Sequence, residues 1–172
     1  PCRILESITD SAEFFLAIRL GVQYNQGAES YAVLKRYGKV VFERRAPTPH
    51  VSYRSPFRLL LLVSVYIHYF RFILSSLRQW QEVKSACYIG RIWICAIAGL
   101  IARASGTVDK VIYWVGDYFP TAFTLESMIY HTANRFVVRH ADEVWYGGKR
   151  MYDAIAKKNG QRLRSGQERM VP

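Results

Sequence analysis

A chain of 172 residues, 51% hydrophobic and 15% aromatic, is long enough for one domain with a real core and too apolar to be a disordered segment. Its 24 Lys and Arg against 13 Asp and Glu leave a formal charge of +11, which points to an anionic partner: nucleic acid, a phosphorylated small molecule or an acidic membrane surface. Cys2, Cys87 and Cys95 are odd in number and lack C-x-x-C spacing, and His50, His68, His131 and His140 lack H-E-x-x-H spacing. Neither a disulfide framework nor a zinc motif is indicated, no metal is expected, and a reducing, cytoplasmic setting follows.

In chain order, "CRILESITD" (2–10) reads as a first strand. A helical pattern runs from Ala12 to about Tyr24 on Phe14, Phe15, Ile18 and Val22, until Asn25-Gln26-Gly27 breaks it. "AESYAVLKRYG" (28–38) reads as a short helix closed by Gly38, and "KVVFERR" (39–45) as a strand ending before the Pro47/Pro49 loop.

The segment Phe57 to Trp80 is long and apolar enough to raise a membrane span, yet Ser64, His68, Arg71, Ser75 and Arg78 recur every three or four positions and form one polar stripe on a helix. A span would place Arg71 deep in hydrocarbon, so an amphipathic helix fits better. Packed on a sheet, it would turn this stripe to water; at a membrane interface it would turn Arg71 and Arg78 to lipid phosphates. A peripheral location at the inner face of the membrane is the corresponding expectation.

From Val83 the pattern becomes regular: strand "VKSACYIG", helix "RIWICAIAGLIARASG", strand "KVIYWVG", helix Thr124 to His140, strand "DEVWYGG", helix "KRMYDAIAKKNG" and strand "ERMVP". Apolar strands alternating with helices predict an α/β fold: a Rossmann-like parallel sheet with right-handed crossovers and helices on both faces, the whole chain forming one such domain. In such sheets ligands sit beyond the carboxyl ends of the strands. Gly90 and Arg91, then Gly116, Asp117 and Tyr118, then Gly147, Gly148 and Lys149 would therefore gather on one edge. Glycine turns there can offer backbone amides to an anion, and a cation in a helix's first turn opposes the macrodipole unless an anion is near. Each also has a plainer role, as turn glycines, surface charges and a turn-forming Asp117.

The chain has no G-x-G-x-x-G after any predicted strand, no G-x-x-x-x-G-K-[ST] and no G-x-S-x-G. The dinucleotide, P-loop and α/β-hydrolase readings lose their main support.

The runs "KVIYWVGDYFP", "ADEVWYGGKRMYDAIAKKNG" and "ERMVP" resemble the second half of the N-terminal domain of GT-B glycosyltransferases of the GT4-like type. The resemblance spans about Phe57 to Pro172. It departs from the pattern at Thr9-Asp10-Ser11, where many relatives have a glycine-rich loop, and at Gly147-Gly148, where relatives often have Ser. It implies that the chain is the acceptor half of a two-domain enzyme, cut from something longer, whose missing C-terminal domain holds most of a nucleotide-sugar donor. No bound cofactor is implied, and the acceptor would be a saccharide or a lipid-linked one. Asp117 would be the general base or acceptor anchor, with Tyr118, Arg91, Lys149 and the glycine amides facing substrate. The competing reading is a non-catalytic Rossmann-like module docking on acidic membrane through its charge. Nucleic acid is disfavoured because the cations are scattered and no basic-aromatic motif occurs.

Overall fold

The computed structural model describes residues 13–21, 27–52, 56–78, 87–115, 125–159 and 168–170. The chain divides into two compact units, Pro1–Val83 and Lys84–Pro172.

Among the described residues the first unit holds three antiparallel strands, β1 (Phe14–Arg19), β2 (Glu29–Arg36) and β3 (Lys39–Pro47), in the order β1-β2-β3, and one helix, α1 (Arg58–Arg78). This corrects the reading of the first third. The helix expected over Ala12 to Tyr24 is strand β1 where described, and the helix expected over 28–38 is strand β2. The strand over 39–45 is present as β3, while the expected first strand, 2–10, lies outside the described residues. The misreading turns on Gly38. Its φ of +74° serves a helix end and a hairpin turn equally well, and here Tyr37 also has positive φ, at 47°. Arg36 pairs with Lys39 across these two residues, the geometry of a tight hairpin turn whose backbone twist matches that of the strands.

Alternation then separates the faces. On β3, Phe42, Arg44 and Ala46 are half-buried while Val41, Glu43 and Arg45 are exposed. α1 buries Leu62, Val65, Tyr69, Phe72, Ile73, Ser76 and Leu77, and leaves Ser64, Arg71 and Arg78 exposed, as the polar stripe requires. Among the described residues it is the one helix long and apolar enough to cross a membrane. A polar knot ties this unit together: Ser30 Oγ lies 3.0 Å from Thr48 Oγ1, the Gly21 amide donates to Ser30 Oγ, and the Tyr69 hydroxyl donates to the Gly21 carbonyl.

The second unit is α/β and Rossmann-like: four parallel strands in sequential order, β4 (Cys87–Gly90), β5 (Lys110–Val115), β6 (Glu143–Tyr146) and β7 (Glu168–Met170). They are joined by α2 (Trp93–Ala104), α3 (Leu125–His140) and α4 (Lys149–Asn159). The core packs Tyr113, Val115, Val144 and Tyr146 of one sheet face against Ala96 of α2, Val137 and Val138 of α3, and Ile155 of α4. Of the helices expected on both faces, the described crossovers occupy this one. Strands taken in sequence with crossovers of one hand return to the same side.

Two glycines make this packing possible. A Cβ on Gly99 of α2 would lie 2.4 Å from the Tyr88 ring, and one on Gly90 would lie 2.7 Å from the Ala96 nitrogen. The core also buries one polar pair, the Tyr113 hydroxyl donating to Asn134 Oδ1 at 2.5 Å, which satisfies both groups away from water.

Candidate functional site

Because β4, β5 and β6 are parallel neighbours, the segments that follow them leave the sheet at the same, carboxyl edge. Gly90 ends β4 and Arg91 follows it; Val115 ends β5; Gly147, Gly148 and Lys149 follow β6. Trp114 links the outer two. The Arg91 guanidinium lies 5.9 Å from the Trp114 ring centroid, and a Cβ on Gly147 would sit 4.0 Å from Trp114 Nε1. Gly116, Asp117 and Tyr118 lie outside the described residues.

Each residue can be weighed from its surroundings. Gly90 is a packing glycine: no side chain fits between the end of β4 and the first turn of α2. Gly148 is a conformational one, with φ of +149° and open space around the position of a Cβ. Its carbonyl accepts from the Met151 and Tyr152 amides at 3.1 Å and so begins α4. Gly147 is exposed, and a Cβ there would meet nothing closer than 3.8 Å.

Two of the helices that start on this edge, α2 and α4, have described first turns free of acid. Ile92 precedes α2 in an extended conformation and caps it with no side-chain hydrogen bond. Arg91, Lys149 and Arg150, all exposed, stand beside them. First-turn amides and dipoles of α2 and α4 thus share an edge with three cations that no ion pair engages among the described residues, an arrangement suited to an anion.

Sequence reasoning did not single out Trp114. Its signal is positional, as the penultimate residue of a strand whose Tyr113 and Val115 face the core. The alternation that buries those neighbours sends Trp114 to the other face, level with Trp145 in the register.

The opposite, amino edge of the sheet is structural. Asp142, from the "AD-x-V" run, accepts from the Val111 amide at 2.8 Å and pairs with Arg103 of α2 at 2.5 Å. Next to it, Glu143 is nearly buried and receives Lys110 Nζ at 2.6 Å, Trp145 Nε1 at 2.9 Å and the Arg169 guanidinium at 3.1 Å. These donors, Lys110 first, hold its carboxyl below the ordinary range, and Glu143 in turn raises Lys110. Burial pushes the Cys95 thiol up to about 12, which makes it a packing residue rather than a nucleophile.

Arg71 and Arg78 lie in the first unit, on the exposed stripe of α1. They line a groove with Arg44, Ala46, His68, Phe72, Leu74 and Ser75. No protein-family model matches this chain, and no curated protein matches it in sequence.

Proposed function

We propose that the chain is the acceptor-side domain of a GT-B glycosyltransferase, which moves a sugar from a nucleotide-sugar to a saccharide or lipid-linked acceptor. One observation carries the reading: the ends of three adjacent parallel strands bring the uncapped start of α2, the acid-free first turns of α2 and α4 and the cations Arg91, Lys149 and Arg150 to one edge, and in the sequence Asp117 follows the end of β5 by two residues. A transferase needs both halves of that chemistry. A carboxylate takes the proton of the acceptor hydroxyl as its oxygen attacks the anomeric carbon, and positive groups favour the negatively charged donor whose bond to the sugar breaks. Asp117 is the base or acceptor anchor in this scheme, Trp114 offers a flat apolar surface for a sugar ring beside Arg91, and the donor's own domain closes the site.

The test is transfer of labelled sugar in the chain joined to its donor-side domain. Asp117→Asn should lower turnover by roughly a hundredfold or more with little change in melting temperature. Normal turnover in that variant would remove Asp117 from the chemistry.

A further inference from the structure

We propose that the groove between β3 and α1 binds a phosphate-bearing ligand. The inference lies in the first unit, uses none of the residues assigned to sugar transfer, and stands whether or not that assignment holds.

The groove has a volume of about 510 Å³, within the range of small-molecule sites. α1 supplies His68, Arg71, Ser75 and Arg78, at spacings of three, four and three, so all four fall on one side of the helix. β3 supplies Arg44 and Ala46 from its inward-facing set. Three guanidiniums, an imidazole and a hydroxyl therefore line it, and among the described residues no carboxylate does.

The contrast with other arginines of the unit is informative. Arg45, one residue along on the outer side of β3, pairs with Glu43 at 2.7 Å, and Arg36 faces Glu13 at 3.9 Å. Among the described residues no acid pairs with Arg44, Arg71 or Arg78. Like charges gathered without a counter-charge repel, and a phosphate relieves that repulsion while its oxygens match the guanidinium fork.

The groove is also partly organised in advance. Arg44 donates to Ser75 Oγ at 2.8 Å and lies over the Phe72 ring at 5.3 Å, which holds its fork in place. The His68 ring stacks near the same Phe72, at 6.3 Å and 16°, and its buried Nε2 meets no hydrogen-bond partner among the described residues. Desolvation and the nearby Arg44 charge favour neutral imidazole there. A phosphate oxygen or hydroxyl would give that nitrogen its partner and cancel the Arg44 charge.

The phosphate could belong to a soluble ester or to a lipid. Leu60, Val63 and Ile67 are exposed on α1, about one to three turns before Arg71, where an acyl chain could lie.

Two probes separate these sources: inorganic pyrophosphate by titration calorimetry, and co-sedimentation with phosphatidylcholine vesicles with or without phosphatidic acid. The variant is Arg71→Gln with Arg78→Gln, whose side chains are exposed and have no ion-pair partner among the described residues, so that they can be changed without harming the fold. The control is Arg135→Gln with Arg139→Gln, exposed residues of α3 in the second unit that remove the same charge. Saturable pyrophosphate binding, weakened roughly a hundredfold by the groove variant and less than about twofold by the control, would establish a soluble phosphate ligand. Sedimentation that needs phosphatidic acid and is lost only in the groove variant would assign the phosphate to a lipid headgroup. Equal weakening by both variants would reduce the effect to net charge and overturn the proposal. The absence of groove-dependent binding in both assays would also overturn it.

Discussion

Replacing Gly90 by alanine tests whether the carboxyl edge is built by close approach of backbone rather than by the freedom of a turn. The added methyl would sit 2.7 Å from the Ala96 nitrogen, 2.8 Å from its Cα and 3.0 Å from the Cys95 carbonyl carbon, where ordinary contact begins near 3.4 Å. All three atoms are backbone of α2, so no side chain can swing aside, and the helix start must lift by roughly half an ångström or more. Overpacking of this kind costs about 1–3 kcal/mol. With a urea slope of about 1–3 kcal/mol per molar, the unfolding midpoint of the second unit should fall by roughly 1 M. Gly147→Ala is the matched comparison, because its methyl would meet nothing closer than 3.8 Å, and its midpoint should hardly move. Urea titrations followed by circular dichroism decide the matter. Equal midpoints for the two variants would refute the packing explanation of Gly90 and return it to the role of a turn residue.

The Glu143 cluster gives an acid-sensitive contribution. Since its folded pKa is lowered, its stabilisation is fully present above the unfolded value near 4.5 and lost as pH falls through the folded one. Glu143→Gln should flatten stability-versus-pH in that window and cost about 1–2 kcal/mol near neutral pH, and an unchanged acid limb in urea titrations would sink the idea. Asn134→Ala leaves the buried Tyr113 hydroxyl without this acceptor and opens a cavity; thermal unfolding should register a loss of about 2–3 kcal/mol. With its thiol pushed up to about 12, Cys95 should react with a thiol probe near pH 8 roughly a thousandfold more slowly than in urea-unfolded chain, and mass spectrometry of labelled peptides would show it. Rapid labelling of Cys95 in the folded chain would contradict its burial.

The second unit was legible residue by residue because its signals are local and agree with one another. Strands such as "KVIYWV" are apolar on both faces, the helices between them end at Gly or polar breaks, and parallel connection then forces every strand-following segment to one edge. α1 was legible for the same reason, since a stripe repeating every three or four residues fits only a helix. The first third was not. Short runs such as "FFLAIR" and "ESYAVLKR" satisfy helical and strand periodicity alike, and what settles them is pairing with neighbouring strands, which the periodicity of one run does not contain. The site divides along the same line. Sequence alone determined which residues would follow strands and carry positive charge. Only tertiary structure decided that Gly90 is a glycine because α2 presses on it, that Trp114 spans the loops of β4 and β6, and that Arg44 joins Arg71 and Arg78 across a strand and a helix. Each of those facts is an approach between different elements of the fold, fixed by packing rather than by spacing.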